Sequence, residues 1–197
     1  MDILSGLNDE QRRAVTHESG PLLILAGAGS GKTKTLTHRI TYLIKEQHVL
    51  PTRILAVTFT NKAAREMRER IASLLGESAD NRNFMPWMGT FHSICVRLLR
   101  QDGRAIGISP NFIIYDEDDK KSLIKQLFKQ FSLTDKDIKP SAVIGMISRA
   151  KNNLQTADDF AASARGPLEQ KVAEIYRAYE VESAKANALD FDDLLIK

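Results

Sequence analysis

Cysteine is almost absent from this chain. One thiol, Cys95, leaves no internal disulfide to staple a fold, and no zinc site is expected at His92. Tryptophan also occurs once, at Trp87, and is assigned to packing. Long apolar runs are missing: the longest, residues 22–26, falls far short of the roughly 20 residues that cross a bilayer. No N-terminal stretch joins a basic region to an extended apolar core, so no secretory signal is read and a cytoplasmic protein is expected. Internal repeats, low-complexity tracts and long Gly/Ser linkers are lacking as well, which excludes solenoids and tethered modules.

What is present is an ordinary globular composition. The 197 residues are 43% hydrophobic and 27% charged, enough for one large domain or two small ones and unlike a disordered, collagenous or coiled-coil chain. The net charge of +3 hides a split. Residues 1–100 hold 14 Lys+Arg against 9 Asp+Glu, whereas residues 101–197 hold 14 against 16. A polyanion would meet the first hundred residues, although an uneven scatter of surface charge produces the same split.

Asn8 followed three residues later by Gln11 opens a helical pattern that Gly20-Pro21 stops. The apolar run at 22–26 then reads as a buried parallel strand. Gly27, Gly29 and Gly31 follow, then Lys32-Thr33 and a segment with Leu36, Ile40, Leu43 and Ile44 on one helical face. A second buried strand is expected at 54–58, and a helix from about Asn61 to Leu75 that Gly76 ends. Strands alternating with helices at this spacing indicate an α/β unit with a parallel sheet. After Gly89-Thr90 the character changes. A helix over 91–101 and one short strand at 112–116 lead to helical patterns near 117–131, 141–152 and 168–187.

The run Ala26-Gly27-Ala28-Gly29-Ser30-Gly31-Lys32-Thr33 carries the chemistry. Glycines let backbone N–H groups turn inward around phosphate oxygens, and the helix that follows adds its positive N-terminal end. Lys32 reaches β and γ phosphates, and the Thr33 hydroxyl suits Mg²⁺. The strict pattern places glycine where this chain has Ala26, a change that matters only if the position needs positive φ. Gln11 has two readings, a helix cap or a nucleotide contact. Phe59 at a strand end and His92 at a helix start read by default as core and as a satisfied polar group. Asp116 to Lys121 reads as a solvated helix start, and Asp190, Asp192 and Asp193 as a helix N-terminus in preference to an acid–base pair or a metal site.

Leu7-Asn8-Asp9-Glu10-Gln11, the glycine run, Thr58-Phe59-Thr60-Asn61-Lys62-Ala63-Ala64 and Gly89-Thr90-Phe91-His92-Ser93 occur in the order seen in UvrD/Rep/PcrA-type superfamily 1 DNA helicases, which the chain resembles. Ile147-Ser148-Arg149-Ala150-Lys151-Asn152 and Asp190-Phe191-Asp192-Asp193-Leu194-Leu195 look like segments of that family's helical insert. The resemblance implies an incomplete RecA-like P-loop sheet over residues 1–90, and a mostly helical subdomain over 91–197, with the boundary within about 90–110. It also implies an ATP- and Mg²⁺-dependent 3′–5′ helicase acting on single-stranded DNA and duplex junctions in repair or replication. Gln11 matches the residue that reads the adenine edge, Lys34 and Arg70 match positions at the nucleotide, and Thr58, Phe59, Thr60, Asn61, Lys62, Thr90, Phe91 and His92 match single-strand contacts. Asp116-Glu117 is not the family's acidic Mg²⁺ motif, which is expected beyond Lys197. The chain is therefore expected to be the N-terminal piece of a longer helicase, inactive in hydrolysis by itself. A helicase–nuclease subunit and a non-hydrolysing, nucleotide-sensitive DNA-binding module are the alternatives.

Overall fold

The computed structural model describes residues 2–81, 83–134 and 136–197. Contacts divide the chain into two units, the first ending at Ile94 and the second running from Cys95 to Lys197.

In the first unit, α1 (Asp9–Thr16) starts on a complete capping box: the Asn8 side chain accepts from the Gln11 N–H while the Gln11 side chain accepts from the Asn8 N–H. Helix α2 (Lys32–Lys45) begins directly after Gly31, whose φ of 85° only glycine adopts without strain. Strand β1 (Ala56–Thr58) leads to α3 (Asn61–Leu75), which Thr60 caps through its hydroxyl and Gly76 ends in the left-handed conformation. Strand β2 (Met88–Thr90) runs parallel to β1 in the register Ala56↔Met88, Val57↔Gly89 and Thr58↔Thr90, and passes straight into α4 (Phe91–Asp102). The core of this unit gathers Ile40 from α2, Ile54 and Ala56 at β1, Met67 and Ile71 from α3, and Met85 and Met88 at β2. Ile71 and Met85 are fully enclosed, each worth roughly 1.5–3 kcal/mol of apolar burial.

One expected strand is corrected. Residues 22–26 form no strand and pair with none among the described residues, and Leu23 and Leu25 stand 81% and 86% exposed. An apolar run states what seeks burial, and a strand forms only where neighbouring strands supply its hydrogen bonds. Among the described residues, β1 and β2 pair only with each other.

The second unit is mostly helical. Strand β3 (Ile113–Tyr115) pairs in parallel with β4 (Ala188–Asp190), joining residues about 75 apart in sequence. Between them lie α5 (Glu117–Gln130), α6 (Pro140–Asn152), α7 (Ala157–Ser163) and α8 (Pro167–Lys185), and α9 (Phe191–Ile196) follows β4. Prolines open α6 and α8, where the missing N–H costs nothing. Ile124, Leu127 and Phe128 of α5 pack with Val143 and Ile147 of α6 and with Val172, Ile175, Tyr176 and Tyr179 of α8. A second cluster joins Leu99, Phe112, Leu189 and Leu194.

The charged start of α5 is capped by Asp116, with Asp119 closing its box. The expectation of a solvated face fails at Lys120, which is buried with its Nζ 2.6 Å from Glu117 Oε1. At α9 the expected helix N-terminus is present, since Asp190 caps it and Asp193 completes the box. None of the described helices is long and apolar enough to cross a membrane.

Candidate nucleotide and nucleic-acid site

The glycine run forms a turn between residues 22–26 and α2. Gly29 and Gly31 take φ values of 75° and 85°, Ser30 Oγ donates to the Gly27 carbonyl at 2.7 Å, and the Thr35 N–H donates to the Gly31 carbonyl at 2.9 Å. Ala26 is not among the residues at positive φ, so alanine in place of the pattern's glycine carries no backbone penalty. Lys32 Nζ lies across the turn and donates to the carbonyls of Gly27 at 2.7 Å and Ala26 at 3.2 Å. Thr33 is exposed in the first turn of α2, and Gly27, Ala28 and Gly29 are exposed beside it.

Gln11 stands over this turn. Its Nε2 donates to the Ser30 carbonyl at 3.0 Å while its Oε1 accepts from the Asn8 N–H at 3.2 Å. The two sequence readings of Gln11 are therefore compatible. A carboxamide holds two donor hydrogens and two acceptor lone pairs, and each internal bond consumes one, leaving one donor and one acceptor for a ligand edge. A cleft of about 600 Å³ opens here, lined by Gln11, Ala26, Gly27, Ser30 and Lys32 together with His17 and residues 22–25.

Lys34 and Arg70 lie elsewhere. They line a separate recess of about 360 Å³ with Thr37, His38 and Glu69, between α2 and α3. Lys34 Nζ donates to the Gly6 carbonyl at 2.6 Å. The structure thus groups the predicted nucleotide residues in two places, Gln11 with the glycine turn and Lys34 with Arg70.

The predicted DNA-contacting residues meet at the carboxyl ends of β1 and β2. Parallel register sets Thr58 beside Thr90, and both strands pass into helices whose first N–H groups face the same end of the sheet. Thr58 Oγ1 donates to the Thr60 carbonyl, and Thr90 Oγ1 accepts from the Ser93 N–H. Phe59 is 91% exposed, which corrects its default reading as core. Its ring centroid lies 5.7 Å from that of Phe91, with the planes tilted by 44°. Thr60, Asn61, Lys62 and His92 are exposed around this pair. In open α/β sheets, ligands bind outside the carboxyl ends of the strands, and two exposed rings with a lysine beside them suit stacked bases and a phosphate chain.

The sequence reading missed His38 and Arg39 of α2. His38 Nδ1 lies 2.6 Å from the Ile3 carbonyl, and Arg39 Nη1 donates to the Val15 carbonyl at 2.7 Å. No local signal marks either role, because each bond spans more than twenty residues of sequence.

Residues 7–197 match the family model described as UvrD/REP helicase N-terminal domain. The chain is 50% identical over 194 residues to the ATP-dependent DNA helicase PcrA of Bacillus subtilis (strain 168), an alignment that covers 98% of this chain and 26% of the relative. Against the ATP-dependent DNA helicases PcrA of Leuconostoc citreum and Staphylococcus aureus (strain Mu50 / ATCC 700699) the identities are 47% and 49%, over the same shares. The chain spans about a quarter of the length of these curated relatives.

Proposed function

Because the chain belongs to the UvrD/REP helicase N-terminal domain family, we propose that it is the nucleotide-binding and part of the strand-tracking portion of an ATP-dependent DNA helicase that moves 3′ to 5′ on single strands. The observation that carries this reading is the glycine turn ahead of α2, with Lys32 lying across it and Gln11 bonded to its Ser30 carbonyl. Residues 1–90 correspond in this reading to part of the RecA-like domain and residues 91–197 to its helical insert.

The donor set fits a triphosphate with Mg²⁺. Gly29 and Gly31 give the turn its left-handed backbone, the amides of α2's first turn add positive potential, and Lys32 brings a cation that needs only to swing from the Gly27 carbonyl to a phosphate oxygen. The Thr33 hydroxyl would hold the metal, which would supply charge neutralisation at the β and γ oxygens. Gln11 offers its remaining donor and acceptor to the adenine edge, and Lys34 and Arg70 present cations around the recess between α2 and α3.

The strand lies over the ends of β1 and β2. Phe59 and Phe91 stack on bases, Thr90 and His92 bond the sugar-phosphate chain, and Lys62 neutralises phosphate. Both sites sit in one unit, where α2, α3, β1 and β2 share a core, so nucleotide and strand act on the same packed elements. The apolar segment 22–26 acquires its sheet neighbours, in this reading, from the part of the helicase that the relatives carry and this chain does not.

The test is ATP hydrolysis by the intact gene product with and without single-stranded DNA. Stimulation by DNA that is lost in Lys32→Ala supports the motor. Nucleotide binding without turnover under both conditions returns the protein to the class of nucleotide-sensitive DNA-binding modules.

A further inference from the structure

Gln11 sits on a helix of only eight residues, α1, and an isolated helix that short does not hold its own position. What holds it comes from α2. Three side chains of α2 donate to backbone carbonyls before α1 and in its last turn: Lys34 to Gly6 at 2.6 Å, His38 to Ile3 at 2.6 Å and Arg39 to Val15 at 2.7 Å. A carbonyl only accepts, so His38 carries its proton on Nδ1. The leader before α1 is a tight turn, with the Ser5 N–H on the Asp2 carbonyl and Gly6 at φ 71°. Ile3 and Leu7 from this turn are buried, as are Val15 and His38. Asn8 then caps α1 through Gln11, and Gln11 reaches the Ser30 carbonyl. The path is closed: α2, the leader turn, the α1 cap, Gln11, the glycine turn, and α2 again.

We propose that His38 and Arg39 are positioning residues for base recognition: by clamping the leader and the last turn of α1 onto α2, they fix Gln11 over the glycine turn and so set, through Gln11, the preference for one nucleobase. This rests on the reading of Gln11 as the residue that meets the base. The clamp separates two tasks. Lys32 and the turn grip phosphates whatever the base, because they belong to α2 and its approach; Gln11 reads the base only while α1 is held in register with them.

The test uses the intact gene product and calorimetric titration with ATP, GTP and inorganic tripolyphosphate. His38→Leu is expected to weaken ATP binding about tenfold, the size of an ordinary coupling between neighbours, and to bring ATP and GTP affinities together while leaving tripolyphosphate unchanged. His38→Asn, whose amide nitrogen takes the place of Nδ1, should restore the ATP preference. The double variant Gln11→Ala with His38→Leu should bind ATP no more weakly than Gln11→Ala alone. Should His38→Leu fail to fold, Arg39→Met against Arg39→Lys tests the other jaw by the same readout. A His38→Leu protein with wild-type ATP preference, or losses that multiply in the double variant, overturns the clamp while the base reading stands. An ATP preference that survives Gln11→Ala overturns the base reading, and the clamp's role falls with it.

Discussion

Lys151 donates to Asp190 at 2.9 Å with 1% and 2% of the two side chains exposed, which joins α6 to the end of β4 across 39 residues of sequence. The same ammonium bonds Asp193 at 3.0 Å and lies 2.9 Å from Glu180, and Tyr179 donates its hydroxyl to Asp190 at 2.8 Å. Both second-half segments that resemble the helicase family meet here, Lys151 from one and Asp190 with Asp193 from the other. Their shared feature is structural: a cation on α6 balances the carboxylates that cap α9. Burial and the two nearby aspartates raise the tyrosine hydroxyl at 179 well above its ordinary range, so it remains a donor.

Replacing Lys151 with Met leaves two buried carboxylates facing each other. Removing one partner of a buried ion pair costs about 3–5 kcal/mol, because the remaining charges lose their compensation. Lys151→Met is therefore expected to lower the urea midpoint of the second unit steeply, with an unchanged m-value if the native state stays compact. A shift near zero would show that the cluster is solvated.

The two aspartates respond to acid in opposite directions. Burial opposes charge on Asp190, but the Lys151 ammonium and the Asp193 N–H outweigh it and hold the carboxyl below its ordinary 3.8. Burial pushes Asp193 up, and the charge of Asp190 adds to this beyond what Lys151 offsets, so it titrates above 3.8. A lowered carboxyl stabilises the fold above its unfolded value and loses that contribution as pH falls through the folded one. A raised carboxyl contributes below the unfolded value and loses that contribution as pH rises through the folded one. Asp190→Asn is thus expected to be less stable than wild type at neutral pH, with the gap closing below 3.8. Asp193→Asn should lose less at neutral pH. Urea titrations between about pH 3 and pH 7 on both variants check the signs.

Helix α3 was legible in sequence because its apolar face, with Met67 and Ile71, and its Gly76 stop agreed; the Thr60 cap is seen only in the structure. Strand β4 and helix α7 were not, since three and seven residues show no period, while α9 was legible only through its acidic N-terminus. The run at 22–26 showed an apolar segment but not its neighbours. Gln11 was read as cap or ligand contact, whereas an amide has the capacity for both. The default reading of Phe59 as core fails because the end of β1 at Thr58, one residue earlier, decides its exposure. Lys151 and Asp190 lie too far apart for any local pattern to join them.

Phe59 tests the strand site without disturbing the fold. It is 91% exposed and its ring touches Phe91, so truncation to Ala removes little burial and should change stability by less than about 0.5 kcal/mol. Stacking on a base is worth about 1–3 kcal/mol, and Phe59→Ala is expected to weaken binding of an oligothymidine by that amount in fluorescence anisotropy. Unchanged affinity with unchanged stability would remove Phe59 from the DNA track.

Gly31 and Ala26 flank the glycine turn and should respond differently to substitution. Gly31 sits at φ 85°, and a Cβ there would lie 2.8 Å from Gln11 Nε2, a side-chain atom already tied to the Ser30 carbonyl. Gly31→Ala therefore strains the backbone by roughly 1–2 kcal/mol and pushes Gln11 off the turn, and ATP binding is expected to fall below detection by calorimetry. Ala26 lies outside the positive-φ set, so Ala26→Gly relieves nothing and only loosens the unfolded chain, a cost of about 0.4–1 kcal/mol in stability. Its ATP affinity should match wild type. If Ala26→Gly instead tightened nucleotide binding severalfold, the alanine would be a steric brake on the glycine turn.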